Sequence, residues 1–428
     1  MAALPIFEEA AGGGGAAAMM AGLAGLDLPA ITKLHFEDMA SGSGARRLSA
    51  YAASAGFDLQ EELEYLTYRA VEPNIFFNPR FLAPAMPRLD DREIRFMALR
   101  DEDDGKSRMR FLMPYSIEKP GFNLGVTVIR AWSTPFGPLG APLIDREDPV
   151  GVMEDVFDVL SRPHLKLPEV ILFPDMRING AAASAIRQVA IGRNLPVVTT
   201  ERHERPILQS KLDGDAYVQL ALGSHHRRDF QRLERKLGKL GRLEFTESRH
   251  PDDVRRRTEE FLSLEASGWK GRKRTAMAVD RFRAAFAREA LYCLAERDMC
   301  RIHTLDLNGR AIASLVVMRE SGVAYTWKTA FDENYAKFSP GTLLMIDTTK
   351  KLLEDPNIMR SDSLAIENHA VMSRLWMEKE PMATLAIGLR PAADRATRQA
   401  ASQLDLYRRT QDVGRVIRDR LIAFAGRG

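Results

Sequence analysis

Cysteine is nearly absent from this sequence: Cys293 and Cys300 are its only two in 428 residues. Two thiols seven positions apart have neither metal-ligand spacing nor the pairs of a disulfide framework. They read as reduced thiols of a cytoplasmic protein. No apolar run of eighteen or more occurs, so no transmembrane helix is expected. Charge of one sign is also missing. The net charge is only +3, with 28% charged and 45% hydrophobic residues. That suits a soluble globular chain and implies no polyanion partner from the total alone. The N-terminus, MAALPIFEEAAGGGG, has no basic start, carries Glu8 and Glu9 early and is broken by glycines. It reads as a low-complexity tail rather than an export signal. No His/Cys/Asp/Glu cluster has ligand spacing, so no metal is expected.

What is present exceeds one ordinary core. After residue 57 the order is helix, three strands, helix, strand, helix, strand. From SHHRRDFQRLERKLGKL onward the order recurs: helices, the strands CRIHTLDLNG, RAIASLVVMRE and GVAYTWKTAF, then GTLLMIDTTKKLLED, SDSLAIE, AVMSRLWMEKE and MATLAIGL. Asn308-Gly309 marks a hairpin turn. Three antiparallel strands followed by helix, strand, helix, strand predict an α+β fold with a mixed, mainly antiparallel sheet flanked by helices. Four segments follow: a flexible tail over 1–45, one domain over 46–205, a second over 206–390, and a basic C-terminal helix over 391–428.

In both halves the third strand leads through a connection into a helix. The second connection, FDENYAKFSPGTLL, enters through Pro340 and Gly341. Its helix start is expected to offer free N–H groups at Gly341, Thr342 and Leu343, a ready anion site. The first connection ends in Asp145, Glu147 and Asp148. Asp148 before Pro149 reads as an N-cap that occupies those N–H groups, and the acids would repel phosphate. Only the second half is therefore expected to hold a phosphate-bearing cofactor, on Ser339, Pro340, Gly341, Thr342 and Leu343.

FLSLEASGWKGRKRTAM, AYTWKTAFDENYAKFSPGTLL and SDSLAIENHAVMSRLWMEKEP carry a resemblance, with EPNIFFNPRFLAPA and WSTPFGPLGAPL in the first half. Over roughly residues 70 to 390 the chain resembles GNAT-type acyltransferases of the CelD (BcsL) cellulose-biosynthesis and BioF-like group, related to the FemAB tandem-GNAT proteins. The resemblance implies tandem GNAT-like domains, the first degenerate. It implies transfer of an acyl group from acyl-CoA, typically acetyl-CoA, to an amine on a small molecule or a sugar or polysaccharide precursor. The sequence departs from ordinary GNAT enzymes in lacking the glycine-rich Arg/Gln-x-x-Gly-x-Gly loop. An aminoacyl-tRNA donor of the FemAB kind and a non-catalytic accessory role in polysaccharide synthesis stay open.

Acyl transfer needs an amine deprotonated, a carbonyl polarised and a thiolate stabilised. Glu265, Lys328, Tyr335, Asp362 and His369 are the candidate catalytic residues. Glu265 and His369 suit a base, and Tyr335 suits protonation of the leaving thiolate. Alternation places Tyr325 and Trp327 on one strand face and Lys328 on the other. A lysine in that apolar strand is costly without a partner or cleft. Asp362 could instead pair with Lys328 or Arg374. Trp269, Lys270, Trp327 and Asp332 are the candidate substrate-binding residues. The basic helices leave two accounts open: packed stripes with solvated basic faces, or peripheral association with a membrane or polysaccharide synthase at the inner membrane. The helix from Ser224 interleaves no stacking aromatics, which argues against sequence-specific reading of RNA, and nucleic acid is not the expected partner.

Overall fold

The computed structural model describes residues 38–42, 46–101, 107–122 and 125–425, with side chains as far as Thr410. Residues 1–37 and 43–45 of the expected tail lie outside the described residues; Asp38–Ala40 forms a strand.

The first half builds β1 (Asp38–Ala40), β2 (Arg46–Ala52), α1 (Gln60–Arg69), α2 (Pro79–Ala85), β3 (Arg95–Asp101), β4 (Met109–Glu118), β5 (Val128–Ala131), β6 (Leu143–Ile144), α3 (Pro149–Leu160), β7 (Val170–Arg177), α4 (Ala181–Gly192) and β8 (Val197–Leu208). The second half begins with α5 (Gly214–Gly238), β9 (Leu243–Ser248), α6 (Pro251–Ser267), α7 (Trp269–Arg272) and α8 (Arg281–Ala295). The three-strand unit β10 (Cys300–Leu307), β11 (Arg310–Glu320) and β12 (Val323–Phe331) follows. Then come α9 (Pro340–Glu354), β13 (Arg360–Asp362), α10 (Met372–Leu375), β14 (Glu378–Gly388) and α11 (Asp394–Ala425). The α+β class and the mainly antiparallel sheet agree with the sequence pattern.

All the described strands join one sheet, ordered β1-β2-β3-β4-β5-β7-β14-β8-β13-β12-β11-β10-β9, with β6 on β4. Its centre is an exchange of strands. β14, from the end of the second half, pairs antiparallel with β7 of the first. β8, from the end of the first half, pairs with β14 and reaches β13 of the second. Residue 205, where the sequence pattern puts a boundary, lies inside β8.

One sheet face is shared by both halves. Phe76, Phe77 and Phe81 pack there with Phe261, Phe286 and Trp327 in a single core cluster. On the other face α3 and α4 cover the first half and α5 and α9 the second. The C-terminal helix docks on the sheet centre through Ala400, Ala401 and Leu404. Leu406 of that helix is exposed. The side chains of Val413, Val416, Ile417 and Leu421 lie outside the described residues.

Two segments differ from their expected form. SDSLAIE keeps only two strand residues, Ser361 and Asp362, because Leu364 turns the chain with a φ of 51°. AVMSRLWMEKE makes a single helical turn before β14 begins at Glu378.

Candidate functional site

A split in the sheet defines the site. β12 and β13 run parallel but pair only over Val323–Tyr325 and Arg360–Asp362. Thr326 Oγ1 reaches the Ser363 carbonyl at 3.1 Å, and the strands then part. Among the described residues, no strand pairs with Trp327–Phe331 on that edge. The free edge leads to the start of α9.

β12 carries a bulge at the same level. Val316 faces Lys328 and Val317 faces Thr326, so Trp327 is an extra residue. A bulge resets the alternation of side chains. This corrects the expectation that Trp327 and Lys328 face opposite ways: both meet Phe136, on the shared face. The Trp327 indole N–H donates to the Phe136 carbonyl at 2.7 Å, and the Lys328 ammonium lies 4.5 Å from the Phe136 ring centroid. Arg283 lies over the same ring at 5.4 Å. Phe136 belongs to WSTPFGPLGAPL, so the first half supplies this wall.

Glu265 and Lys270 complete the charge cluster. Glu265 is buried, with Oε1 on Lys270 Nζ at 2.9 Å and Oε2 accepting from Met277 N at 2.8 Å. Both of its oxygens are engaged, so it holds Lys270 rather than standing free as a base. Lys270 also donates to the Thr329 carbonyl of β12 at 3.3 Å. Burial pulls the Lys328 ammonium down to about 8; positive Lys270 pushes the same way, Glu265 opposes it, and Arg283 adds to the fall. The cleft thus combines Lys270, Arg283 and a readily deprotonated Lys328 against one carboxylate.

At the start of α9, Ser339 sits in the left-handed region with φ 52° and ψ 50°, and its side chain makes no cap hydrogen bond. Its carbonyl accepts from Thr342 N at 3.0 Å and Leu343 N at 3.1 Å. Leu343 is also buried in the core. It is therefore not a free donor, contrary to expectation, and Thr342 N is shared; Pro340 has no N–H. Gly341 is left to offer the open amide. A Cβ at Gly341 would meet Phe331 at 3.4 Å, an ordinary contact, so the position is spacious. Beside this helix, a cavity of about 160 Å³ lies between α5 and α9; Phe230, Phe245, Leu343 and Ile346 line it, and Arg227 and Lys350 are offset there by Asp215, Glu234 and Asp347. In the first half, Asp148 Oδ1 does accept from Gly151 N, at 3.1 Å. Asp145 is fully buried among Arg69, Arg108 and Arg110.

The other expected site residues lie apart from this cleft. Asp362 pairs with neither Lys328 nor Arg374. Its partner is Arg205 of β8, at 3.5 Å, and Leu364 N donates to its second oxygen. Arg205 also donates to the Pro138 carbonyl at 3.1 Å, tying the wall segment to the sheet centre. Asp332 caps the 3-10 turn Glu333–Phe338 by accepting from Asn334 N, a structural task. Tyr335 packs on the α9 face, across the sheet from Lys328. His369 is exposed, and its Nδ1 accepts from Met372 N at 3.2 Å, which caps α10. Trp269 neither plugs the core nor lines the cleft: it is 47% exposed, and its backbone N–H donates to Glu333. Arg205, Phe136 and Arg283 were missed as site residues. The one signal for Arg205 was an arginine flanking the buried run Pro206–Leu208.

Residues 224–369 match the family model of the acetyltransferase (GNAT) domain. The chain carries a GNAT-type acyltransferase domain. The match begins one residue after Gly223, whose φ of 65° kinks α5, and it ends at His369. No curated protein matches the chain. Among solved structures, the C-terminal domain of a putative lysylphosphatidylglycerol synthetase from Agrobacterium fabrum is 13% identical, with a TM-score of 0.50 over 81% of this chain and 96% of that one. A conserved protein of unknown function from Bacteroides thetaiotaomicron is 11% identical, with a TM-score of 0.49 over 77% and 96%. FemX is 10% identical, with a TM-score of 0.49 over 78% and 96%. At 13% identity the first of these shows a shared fold. Acyltransferase character rests on the domain match.

Proposed function

We propose that this acyltransferase takes its acyl group from acyl-CoA and passes it to an amine in the cleft beside Lys328. The observation that carries this reading is the parting of β12 from β13 next to the bare start of α9. An extended thioester fits a slot with one unpaired strand edge, and an anionic group at the slot's end meets Gly341 N–H and the helix dipole. The residues present fit such a donor, which supplies the activated thioester carbonyl.

Neutral Lys328 would take the proton from the amine nitrogen as it attacks that carbonyl; the C–N bond forms, the C–S bond breaks, CoA leaves as the thiolate, and the Lys328 ammonium returns its proton to that sulfur or to water. Lys270 and Arg283 favour the developing negative charge by their position. The resemblance to the CelD and BioF-like group suggests an acceptor amine on a sugar or polysaccharide precursor.

A second reading has its own support. One open amide at α9 is a thin cradle for a pyrophosphate, and the exposed basic face of α5, with Arg228 and Arg235, suits an aminoacyl-tRNA donor. Calorimetric titration separates the two. Acetyl-CoA binding in the micromolar range, abolished by Gly341→Asp, supports the first. Salt-sensitive tRNA binding with no response to any CoA ester replaces it with the second.

A further inference from the structure

The segment from α7 to the first turn of α8 exposes three large apolar side chains: Trp269 at 47%, Val279 at 49% and Phe282 at 48%. Single exposed apolar residues are ordinary, but three of them within 269–282, set among cations, point to a contact surface. They do not project because the segment is loose. Its inner side is anchored by fully buried Ala276 and Met277, and the Lys270 carbonyl accepts from both Thr275 N and Ala276 N. Cations surround them. Lys270, Arg272, Lys273, Arg274, Arg281 and Arg283 stand in 269–283 with the acid Asp280; Glu265 pairs with Lys270 and Glu333 with Arg272, which leaves Lys273, Arg274 and Arg281 as the excess. Lys273 lies 5.2 Å over the Trp269 ring, and Arg281 lies 4.7 Å over that of Phe282.

We propose that this segment is a docking surface for an anionic lipid bilayer. Apolar residues that include tryptophan, set among lysines and arginines, match the acyl–headgroup boundary, where ring and chain go inward and cations meet lipid phosphate. A single-stranded nucleic acid would need open ring faces for stacking. Here each aromatic already has a cation over its ring, and Val279 has no face to stack on. A bilayer takes up apolar bulk whatever its shape. The segment also flanks the cleft: Lys270 at its root reaches the Thr329 carbonyl, and Arg283 at its end covers Phe136. Docking would set the cleft mouth at the lipid surface. The proposal does not depend on which donor the enzyme uses.

The test is intrinsic fluorescence and co-sedimentation of the full chain with vesicles. The other tryptophans, Trp132, Trp327 and Trp376, are at most 7% exposed, so a change in emission on binding reports chiefly on Trp269. Vesicles of phosphatidylglycerol and phosphatidylcholine should bind the protein and shift its emission to the blue. Vesicles of phosphatidylcholine alone should bind it more weakly. Phe282→Ser with Val279→Asp should lower partitioning about tenfold or more, from the apolar area lost to the membrane. Arg274→Glu with Arg281→Glu should weaken binding to the anionic vesicles in particular. Circular dichroism of each variant should match the parent, since these side chains are exposed. Three outcomes overturn the proposal. One is no vesicle binding. Another is binding that these variants leave intact. The third is an emission shift produced by single-stranded RNA and not by vesicles.

Discussion

At the residue scale the proposed chemistry centres on Lys328. It sits on a bulge, beside Phe136, with its ammonium pulled down to about 8 by burial and by Lys270. If it takes the amine proton, kcat/KM should climb about tenfold per pH unit below 8 and level off above it. Lys328→Met should lower the rate by about 100-fold or more and remove that limb. Lys328→Arg should fail similarly, because a guanidinium stays charged over the whole range. A variant that keeps the limb would assign it to another group. Stability carries the same signature with a definite sign. The folded-state value of about 8 lies below the ordinary 10.5, so the unfolded chain binds more protons between them. Stability should therefore rise with pH across that window, and Lys328→Met should flatten the rise in urea titrations. Lysine in an apolar strand was visible as an anomaly in the sequence. Its direction was not, because a bulge is a mismatch between two strands and neither strand shows it alone.

Elements lock together through residues that no local pattern singles out. Arg205 on β8 holds Asp362 on β13 and the Pro138 carbonyl of the wall segment, and both charged side chains are buried. Arg205→Ala would strand a carboxylate in the sheet centre, at a cost of about 3–5 kcal/mol in urea unfolding. The pair Arg205→Met with Asp362→Leu should recover most of that loss, because it removes both charges together. A loss equal to that of Arg205→Ala would show that the Pro138 contact, not the pair, matters. The strands and helices themselves were largely legible from apolar periodicity, the Asn308-Gly309 turn and the Asp148 cap. The start of α9 was legible as a helix beginning through Pro340. Its donors were not: with Ser339 at the N-cap, the Leu343 N–H makes the first ordinary helical bond to the Ser339 carbonyl, and Thr342 N donates to the same oxygen. Asp362 was recognisable as unusual, yet its partner lay in a stretch that read as the boundary between repeats. Chain order does not name a strand's neighbour, and β8 finds its own more than 150 residues away in β13 and β14.

The molecule as a whole is joined by that exchange. β14 lies between β7 and β8, so the last strand in the sequence stands at the middle of the sheet. α11 then packs over the same strands through Ala400, Ala401 and Leu404. The shared face adds a second join: Asn78 of the first half donates to Glu320 of β11 at 2.7 Å, and Phe81 meets Phe286 edge-on at 5.1 Å. Two repeats linked only by a connector would unfold in two steps. Repeats that exchange central strands should unfold in one, with far-UV and near-UV dichroism following a single transition. The sharper experiment ends the chain after Trp376. That removes β14 and α11 while leaving the acyltransferase-matched residues 224–369 intact. Both β7 and β8 would then present bare edges at the centre of the sheet, which invites aggregation. The shortened protein should lose its cooperative transition and precipitate. If it instead retained a cooperative transition and the cleft around Lys328, the exchange would be an ornament on an independent domain, and the wall supplied by Phe136 would have to be held by the shared face alone.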